Sequence, residues 1–237
     1  MYYIIVTGDS GSLGSKIAEK ILSNTKFGVI GLSRSWKDKE VEKGKYLKFY
    51  ADLSHPESIK DLFLNKFRKN NLKIYGLINN SAYAYDDLIT NANIKKLSKM
   101  YYINVLSPMI LIKYAIRDML LNSTKGSIVN ISSISTGTGY KGLSMYASTK
   151  GALESLENNV AREWGVKGIR CNTVAPGFMK TKMTKDIDEK DQKKIFKRNC
   201  LRKEIEIDYV AETVVFLVSE KSSSITGQTI RVDNGVI

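Results

Sequence analysis

The chain is poor in the residues on which several kinds of protein depend. It has two cysteines, Cys171 and Cys200, set in what read as a buried strand and a loop. A disulfide framework is not expected from two such thiols in a reducing compartment. It has one histidine, His55. A zinc site from one histidine and two distant cysteines is not expected, nor is a Ser-His-Asp triad, so no metal is predicted. His55 stands before Pro56 and reads as a residue of a helix's first turn. Three prolines and 17 glycines in 237 residues leave little room for a long linker. Long apolar runs are missing: the most apolar stretch, 109–112, is closed off by Lys113 and Arg117. That is far short of the ~20 residues a membrane-spanning helix needs. Met1 leads at once into a strand-like run, without the basic start, apolar stretch and cleavage site of a signal peptide. The expected location is the cytoplasm.

What is present describes an ordinary globular protein, with 43% hydrophobic and 26% charged residues. The length suits one α/β domain over 1–237 with a full core. The formal net charge is +13. Such a surface attracts nucleic acid, anionic lipid or an acidic protein, and a lysine-rich proteome alone also yields it. No helix-turn-helix, zinc or RNA-binding signature accompanies the charge, so no specific nucleic-acid partner is expected.

Strand-like and helix-like segments alternate along the whole chain. Apolar, β-branched runs predict strands at 2–7, 27–32, 46–51, 74–79, 126–131, 169–174 and 228–232. Helical spacing predicts helices at 13–22, 56–67, 146–164 and 208–217, and a long one at 94–121 interrupted near Pro108. Near-continuous apolar strands separated by helices imply a single-domain, Rossmann-type, doubly wound parallel sheet of about seven strands, covered on both faces. In such a sheet ligands bind beyond the carboxyl ends of the strands.

The first strand runs into Thr7-Gly8-Asp9-Ser10-Gly11-Ser12-Leu13-Gly14 and then a helix. A glycine-rich turn in that position brings backbone N–H groups and a helix N-terminus to a pyrophosphate. Gly8, Asp9, Ser10, Gly11, Ser12, Leu13 and Gly14 are therefore candidate cofactor residues. The second strand ends Leu32-Ser33-Arg34-Ser35 without an acid to take a ribose 2′-hydroxyl. Arg34 suits a 2′-phosphate and Ser33 a hydrogen bond to it, which points to NADP(H).

Tyr146-Ala147-Ser148-Thr149-Lys150 places a phenol and an ammonium four residues apart on one helix face. With 13 tyrosines, chance alone supplies about one such pair, and position gives this one its force. The helix follows the fifth strand, whose end carries Ser132 and Ser133.

Here the sequence resembles the short-chain dehydrogenase/reductase family, over essentially its whole length. The family's glycine loop, NNAG, lone Asn, Ser, YxxxK and late PG all have counterparts in order. Tyr146 and Lys150 match YxxxK. Ser133, thirteen residues before the tyrosine, matches the serine in preference to Ser132 and Ser135. Asn104 matches the lone asparagine, and Asn79-Asn80-Ser81-Ala82 stands at NNAG. Asp52-Leu53 matches the segment that touches adenine, and Pro176-Gly177-Phe178-Met179 with Thr181 the segment beside the nicotinamide amide. The resemblance implies Tyr146, Lys150, Ser133 and Asn104 as catalytic. It adds Asp52, Leu53, Asn79, Ser81, Met179 and Thr181 to the cofactor site, with Tyr146 and Lys150, and makes Ser133, Leu143 and Tyr146 substrate residues. It also implies a homotetramer.

Two departures stand out: Ser12 replaces the second loop glycine, and Ala82 replaces the glycine of NNAG. Serine there is costly if the position needs a positive φ. Within the family the likeness is to 3-oxoacyl-acyl-carrier-protein reductases. It rests on 79–88, on Ala175-Pro176-Gly177-Phe178 through Thr181 and Met183, and on Ile225-Thr226-Gly227-Gln228-Thr229. Their pathway would be fatty acid biosynthesis. An acidic carrier would suit the basic surface, with Lys167 and the cations of 180–203 as docking candidates and 178–205 as the substrate loop. Leu143, Tyr140 and Met145 point instead to a sugar or another small carbonyl compound. A non-catalytic NADP(H)-binding module is the third expectation, opposed by the intact catalytic set.

Overall fold

The apolar runs become the strands of one parallel sheet: β1 Tyr2–Thr7, β2 Gly28–Ser33, β3 Tyr46–Tyr50, β4 Lys73–Asn79, β5 Ser127–Ile131, β6 Arg170–Pro176 and β7 Thr229–Val232. Their order is β3-β2-β1-β4-β5-β6-β7, every pairing parallel. The computed structural model describes residues 1–41, 43–181, 184 and 188–236, the side chain of Glu189 apart. Met183 lies outside the described residues. The strands depart from their expected bounds by no more than two residues at either end.

Alternation along the strands divides the core in two. Ile5, Ile30 and Leu77 face one side, where α2 (residues 56–67), α3 (94–121) and α4 (Ser144–Trp164) cover them. Ile4, Val6 and Val29 face the other, under α1 (Ser12–Asn24) and the late helix Ile207–Val218. Phe49 and Phe67 are fully buried and meet edge to face at 5.3 Å. Burial of one such side chain contributes ~1.5–3 kcal/mol.

The helices differ from the expectations, or add to them, in three places. Residues 56–67 do not form one regular helix: a 3-10 turn Pro56–Ser58 leads through Ile59–Asp61 into a π-helical stretch Leu62–Phe67. His55 stands just before that first turn, as expected, and its Nδ1 is 3.3 Å from Glu57. Helix α3 is irregular near Pro108, as expected. The irregularity lies just before it, as a π-helical stretch Tyr102–Leu106, and Pro108 sits in the first turn of Ser107–Leu121. There its missing N–H is tolerated. A short helix, α5 (Glu189–Lys197), was not anticipated; its N-cap Asp188 accepts from the Asp191 N–H at 2.7 Å. The helix Ile207–Val218 is α6.

Arg170, at the amino end of β6, ties the C-terminus of α6 to the sheet. Its guanidinium donates to the carbonyls of Leu217 (2.9 Å) and Ser219 (2.8 Å) and to Ser222 Oγ (2.9 Å). A buried cation among the last carbonyls of a helix also meets the negative end of its dipole. No helix among the described residues is long and apolar enough to cross a membrane.

After β3 the chain crosses back over β1 to place β4 on its other side. The switch point thus lies between the carboxyl ends of β1 and β4, where the glycine loop and Asn79-Asn80-Ser81 meet.

Candidate active site

The glycine loop is locked to the end of β4. Thr7 Oγ1 accepts from the backbone N–H groups of Asn80 and Ser81, each at 2.9 Å, and Asn80 Nδ2 donates to the Thr7 carbonyl at 2.9 Å. Gly8 has φ +67, in the left-handed region that favours glycine. A Cβ on Gly14 would lie 2.2 Å from the Gly8 carbonyl oxygen, so α1 can start beneath the loop only with glycine there. Ser12 and Ala82 do not have positive φ, so neither departure from the family pattern strains the backbone. Gly11 caps α1 without a side-chain hydrogen bond. The first N–H groups of a thirteen-residue helix are therefore left to an anion. This is the geometry a pyrophosphate requires, and these residues fit a dinucleotide.

Beside the loop, a turn Arg34–Trp36 follows β2. Ser33 Oγ accepts from the Ser35 N–H at 3.1 Å and lies 2.7 Å from Ser10 Oγ, which is 3.1 Å from Ser35 Oγ. Arg34 is exposed at this hydroxyl cluster. Asp52 follows β3. Burial alone would raise its carboxyl, but the N–H and hydroxyl of Ser54 and the charges of Arg34 and His55 outweigh it and lower the pKa. Leu53 is buried, and its carbonyl accepts from Ser107 Oγ at 2.7 Å.

The catalytic candidates converge at the ends of β4 and β5. Lys150 is 1% exposed, and its Nζ donates to the carbonyl of Ile131, the last residue of β5, at 2.7 Å. Burial lowers its ammonium pKa to about 8. The same Nζ lies 5.7 Å from the centre of the Tyr146 ring, one helical turn away. Burial, and then the negative charge of Asp86, push the Tyr146 phenol above its ordinary range.

Two residues beyond Ile131, Ser133 is half-buried, and its Oγ accepts from the Ser135 N–H at 3.2 Å, which leaves its own proton to donate. Ser132 differs: its hydroxyl is spent on Glu154 Oε1 at 2.6 Å. Asn104, in the π-helical stretch, is buried. Its side chain accepts from the Tyr83 N–H (2.8 Å) and donates to the Tyr83 carbonyl (2.9 Å) and to Thr149 Oγ1 (3.0 Å). Asn104 thus fixes the segment after β4 against α4 and touches Lys150 with no side-chain bond. The helical donor for its own carbonyl would come from Pro108, which has no N–H.

The remaining expected residues scatter in role. Leu143 is half-buried at the N-terminus of α4, beside buried Met145. Met179 packs against the α6 side of the core, and the Thr181 N–H donates to Thr184 Oγ1 at 3.0 Å. Asn79 is turned inward and donates to Asn130 at 2.9 Å. Leu13 is buried, which leaves its backbone to a ligand. Asp9 is 1% exposed, and both carboxylate oxygens are engaged by other side chains beneath the loop. Thr7, Asn80, Ser35 and Thr149 shape the site without having been anticipated. The Thr7-Gly8 and Asn79-Asn80 dipeptides, facing each other across neighbouring strand ends, were the available signal for two of them.

Comparison with known proteins agrees with this architecture. The family model described as enoyl-(acyl carrier protein) reductase matches residues 11–237. The 3-oxoacyl-[acyl-carrier-protein] reductase of Buchnera aphidicola subsp. Schizaphis graminum is 35% identical over 240 residues, covering 98% of this chain and 96% of that protein. The L-xylulose reductase of Caenorhabditis elegans is 31% identical, with 98% and 94% covered. The solved structure of ElxO with NADP bound superposes with a TM-score of 0.87 at 28% identity, covering 99% of this chain and 98% of that one.

Proposed function

The chain belongs to the short-chain dehydrogenase/reductase family, and on that premise we propose that it is an NADP(H)-dependent oxidoreductase of CH–OH and C=O groups, reducing a 3-oxoacyl group borne on an acyl carrier protein. One observation carries the reading. Lys150 is pinned to the carbonyl of Ile131, the last of β5, with the Tyr146 ring centre 5.7 Å from its Nζ, and Ser133 follows that same strand end by two residues.

The bound cofactor supplies a hydride to the carbonyl carbon. Tyr146, a neutral phenol at physiological pH, gives its proton to the carbonyl oxygen. Ser133 donates to that oxygen and holds it in line. Lys150 keeps a positive charge under the phenol and holds the nicotinamide ribose, and the Asn104 carbonyl holds a water that leads to Lys150. The N–H groups of Ser10, Ser12, Leu13 and Gly14 take the pyrophosphate, Ser33 and Arg34 the 2′-phosphate, and Asp52 and Leu53 the adenine. Asn79 and Ser81 flank the cofactor beside the loop, and Met179 and Thr181 face the nicotinamide amide. The whole of 1–237 acts as one domain, with Leu143 and the 178–205 segment shaping the substrate pocket. A homotetramer is part of the same reading, with the exposed Tyr101, Tyr102, Leu106 and Met109 of α3 as contact residues.

The test is NADPH oxidation with an acetoacetyl thioester, wild type against Tyr146→Phe. Loss of a general acid costs ~10²–10⁴ in rate, and a Phe variant that keeps wild-type turnover overturns the assignment. A smaller ketone is the second reading, favoured by the likeness to L-xylulose reductase. Turnover of a pentulose without turnover of the thioester would select it.

A further inference from the structure

Beneath the glycine loop lies a buried polar cluster for which the reaction has no evident use. The Asp9 carboxylate packs against Gly31 of β2 so closely that a Cβ there would fall 1.8 Å from Asp9 Oδ2. The indole Nε1–H of Trp36 donates to it, at 2.9 Å from each oxygen, and the hydroxyl of Tyr46 donates at 2.7 Å. The Lys48 ammonium closes the cluster from above, 4.4 Å from the Trp36 ring and 4.9 Å from the Tyr46 ring. Burial raises the Asp9 pKa, and the hydrogen bonds from Tyr46 and Trp36, with Lys48, work against that rise.

Trp36 is the last residue of the turn that carries Arg34 and Ser35. Arg34 and Ser35 are exposed, whereas Trp36 is half-buried and reaches back to the loop. The aim of the guanidinium is therefore set by the two residues that anchor its turn, Ser33 on one side and Trp36 on the other. Asp9 is in turn adjacent to Ser10, whose hydroxyl joins those of Ser33 and Ser35. The carboxylate thus ties the loop that takes the pyrophosphate to the turn that takes the 2′-phosphate.

We propose that Asp9 is a positioning residue for cofactor choice: by holding Trp36, it fixes Arg34 and Ser35 at the spacing from Ser10 that a 2′-phosphate requires. This rests on the NADP(H) reading above. The clamp acts only on the part of the cofactor that distinguishes NADPH from NADH. Loosening it raises the KM for NADPH and leaves the kcat, and the KM for NADH, nearly unchanged.

The experiment compares NADPH and NADH kinetics of the full chain for the wild type, Trp36→Phe and Asp9→Asn, with Trp36 emission in wild type and Asp9→Asn obtained by subtracting that of Trp36→Phe, which retains Trp164 alone. Trp36→Phe keeps an aromatic ring, smaller than the indole, and removes the donor. The expected result is a rise of about tenfold in the KM for NADPH, the order of one lost charge-assisted hydrogen bond, with less than a twofold change for NADH. Asp9→Asn keeps one acceptor oxygen but lies in the glycine loop itself, so only its ratio of NADPH to NADH preference is read; that ratio falls between wild type and Trp36→Phe, and the Trp36 emission shifts. Equal changes for the two cofactors, or an unchanged NADPH preference in a folded Trp36→Phe protein, overturn the clamp and leave the cofactor reading standing. A wild type that prefers NADH overturns both. Should Asp9→Asn fail to fold, the Trp36→Phe comparison decides alone.

Discussion

A lysine ammonium buried to 1% exposure is held in place at a cost that can be measured. The Lys150 pKa falls from 10.5 to about 8 in the folded chain. At ~1.4 kcal/mol per pH unit this corresponds to ~3 kcal/mol. A lowered folded pKa means that the unfolded chain binds the extra proton between about pH 8 and 10.5, so stability rises with pH across that window. Below about pH 8 the whole penalty is present. Lys150→Met removes it but leaves the Ile131 carbonyl without its donor, which gives back ~1 kcal/mol. The expected outcome is a variant without turnover that is ~1–2 kcal/mol more stable than wild type at pH 7 by urea unfolding. Its advantage disappears near pH 10, and a variant less stable than wild type at pH 7 would contradict the account.

At this scale the Tyr146–Lys150 pair was legible because four residues of helix place two side chains together whatever surrounds them. The choice of Ser133 over Ser132 needed a family interval, since the sequence cannot show that Glu154 takes the Ser132 hydroxyl. Asp9 was legible only as a loop member, because its partners Trp36 and Tyr46 are 27 and 37 residues away and obey no local pattern.

At the scale of elements, the strands were readable because each is apolar almost throughout and bounded by turn residues. The helices were less so. Pro108 signals an interruption in α3 but not its form, a π-helical stretch at Tyr102–Leu106 from which Asn104 reaches the backbone of Tyr83. A tertiary bond of that kind leaves no periodicity. Helix α5 was hidden for the opposite reason: among its described side chains only Ile195 and Phe196 are apolar, so its lysines read as docking cations and not as one face of a helix. Arg170 falls within the run 169–174 that predicts a strand, and nothing in that pattern shows that it caps α6. Arg170→Met strips the Leu217 and Ser219 carbonyls of a charged donor. The expected loss is ~3 kcal/mol, a fall in Tm of about 8 °C for a chain of this length. Arg170 lies at the amino end of β6, whereas Ser133 follows the carboxyl end of the neighbouring β5. Turnover per folded molecule at low temperature should therefore match wild type, and a matching loss of kcat would place Arg170 in the site after all.

For the whole molecule the dominant quantity is its charge. At +13, the chain attracts any acidic partner over distances set by the Debye length, ~10 Å at 0.1 M salt and ~3 Å at 1 M. Some of the lysines answer local acids, as Lys194 does Asp191 at 2.7 Å and Lys180 does Glu204 at 2.8 Å. The excess remains, and Lys190, Lys193 and Lys197 bring three more cations to α5, within the segment read as the substrate loop. If an acidic carrier protein delivers the substrate, its approach is steered by this field, whereas a small neutral thioester feels none of it. With NADPH saturating throughout, kcat/KM for a carrier-borne 3-oxoacyl group should fall on the order of tenfold between low and half-molar salt. For the acetoacetyl thioester it should stay within a factor of about two, and the kcat for both should hold. Parallel losses for the two substrates would assign the salt effect to the active site itself. A carrier-borne substrate indifferent to salt would leave the basic surface without a part in delivery and turn the choice of substrate toward the small ketones.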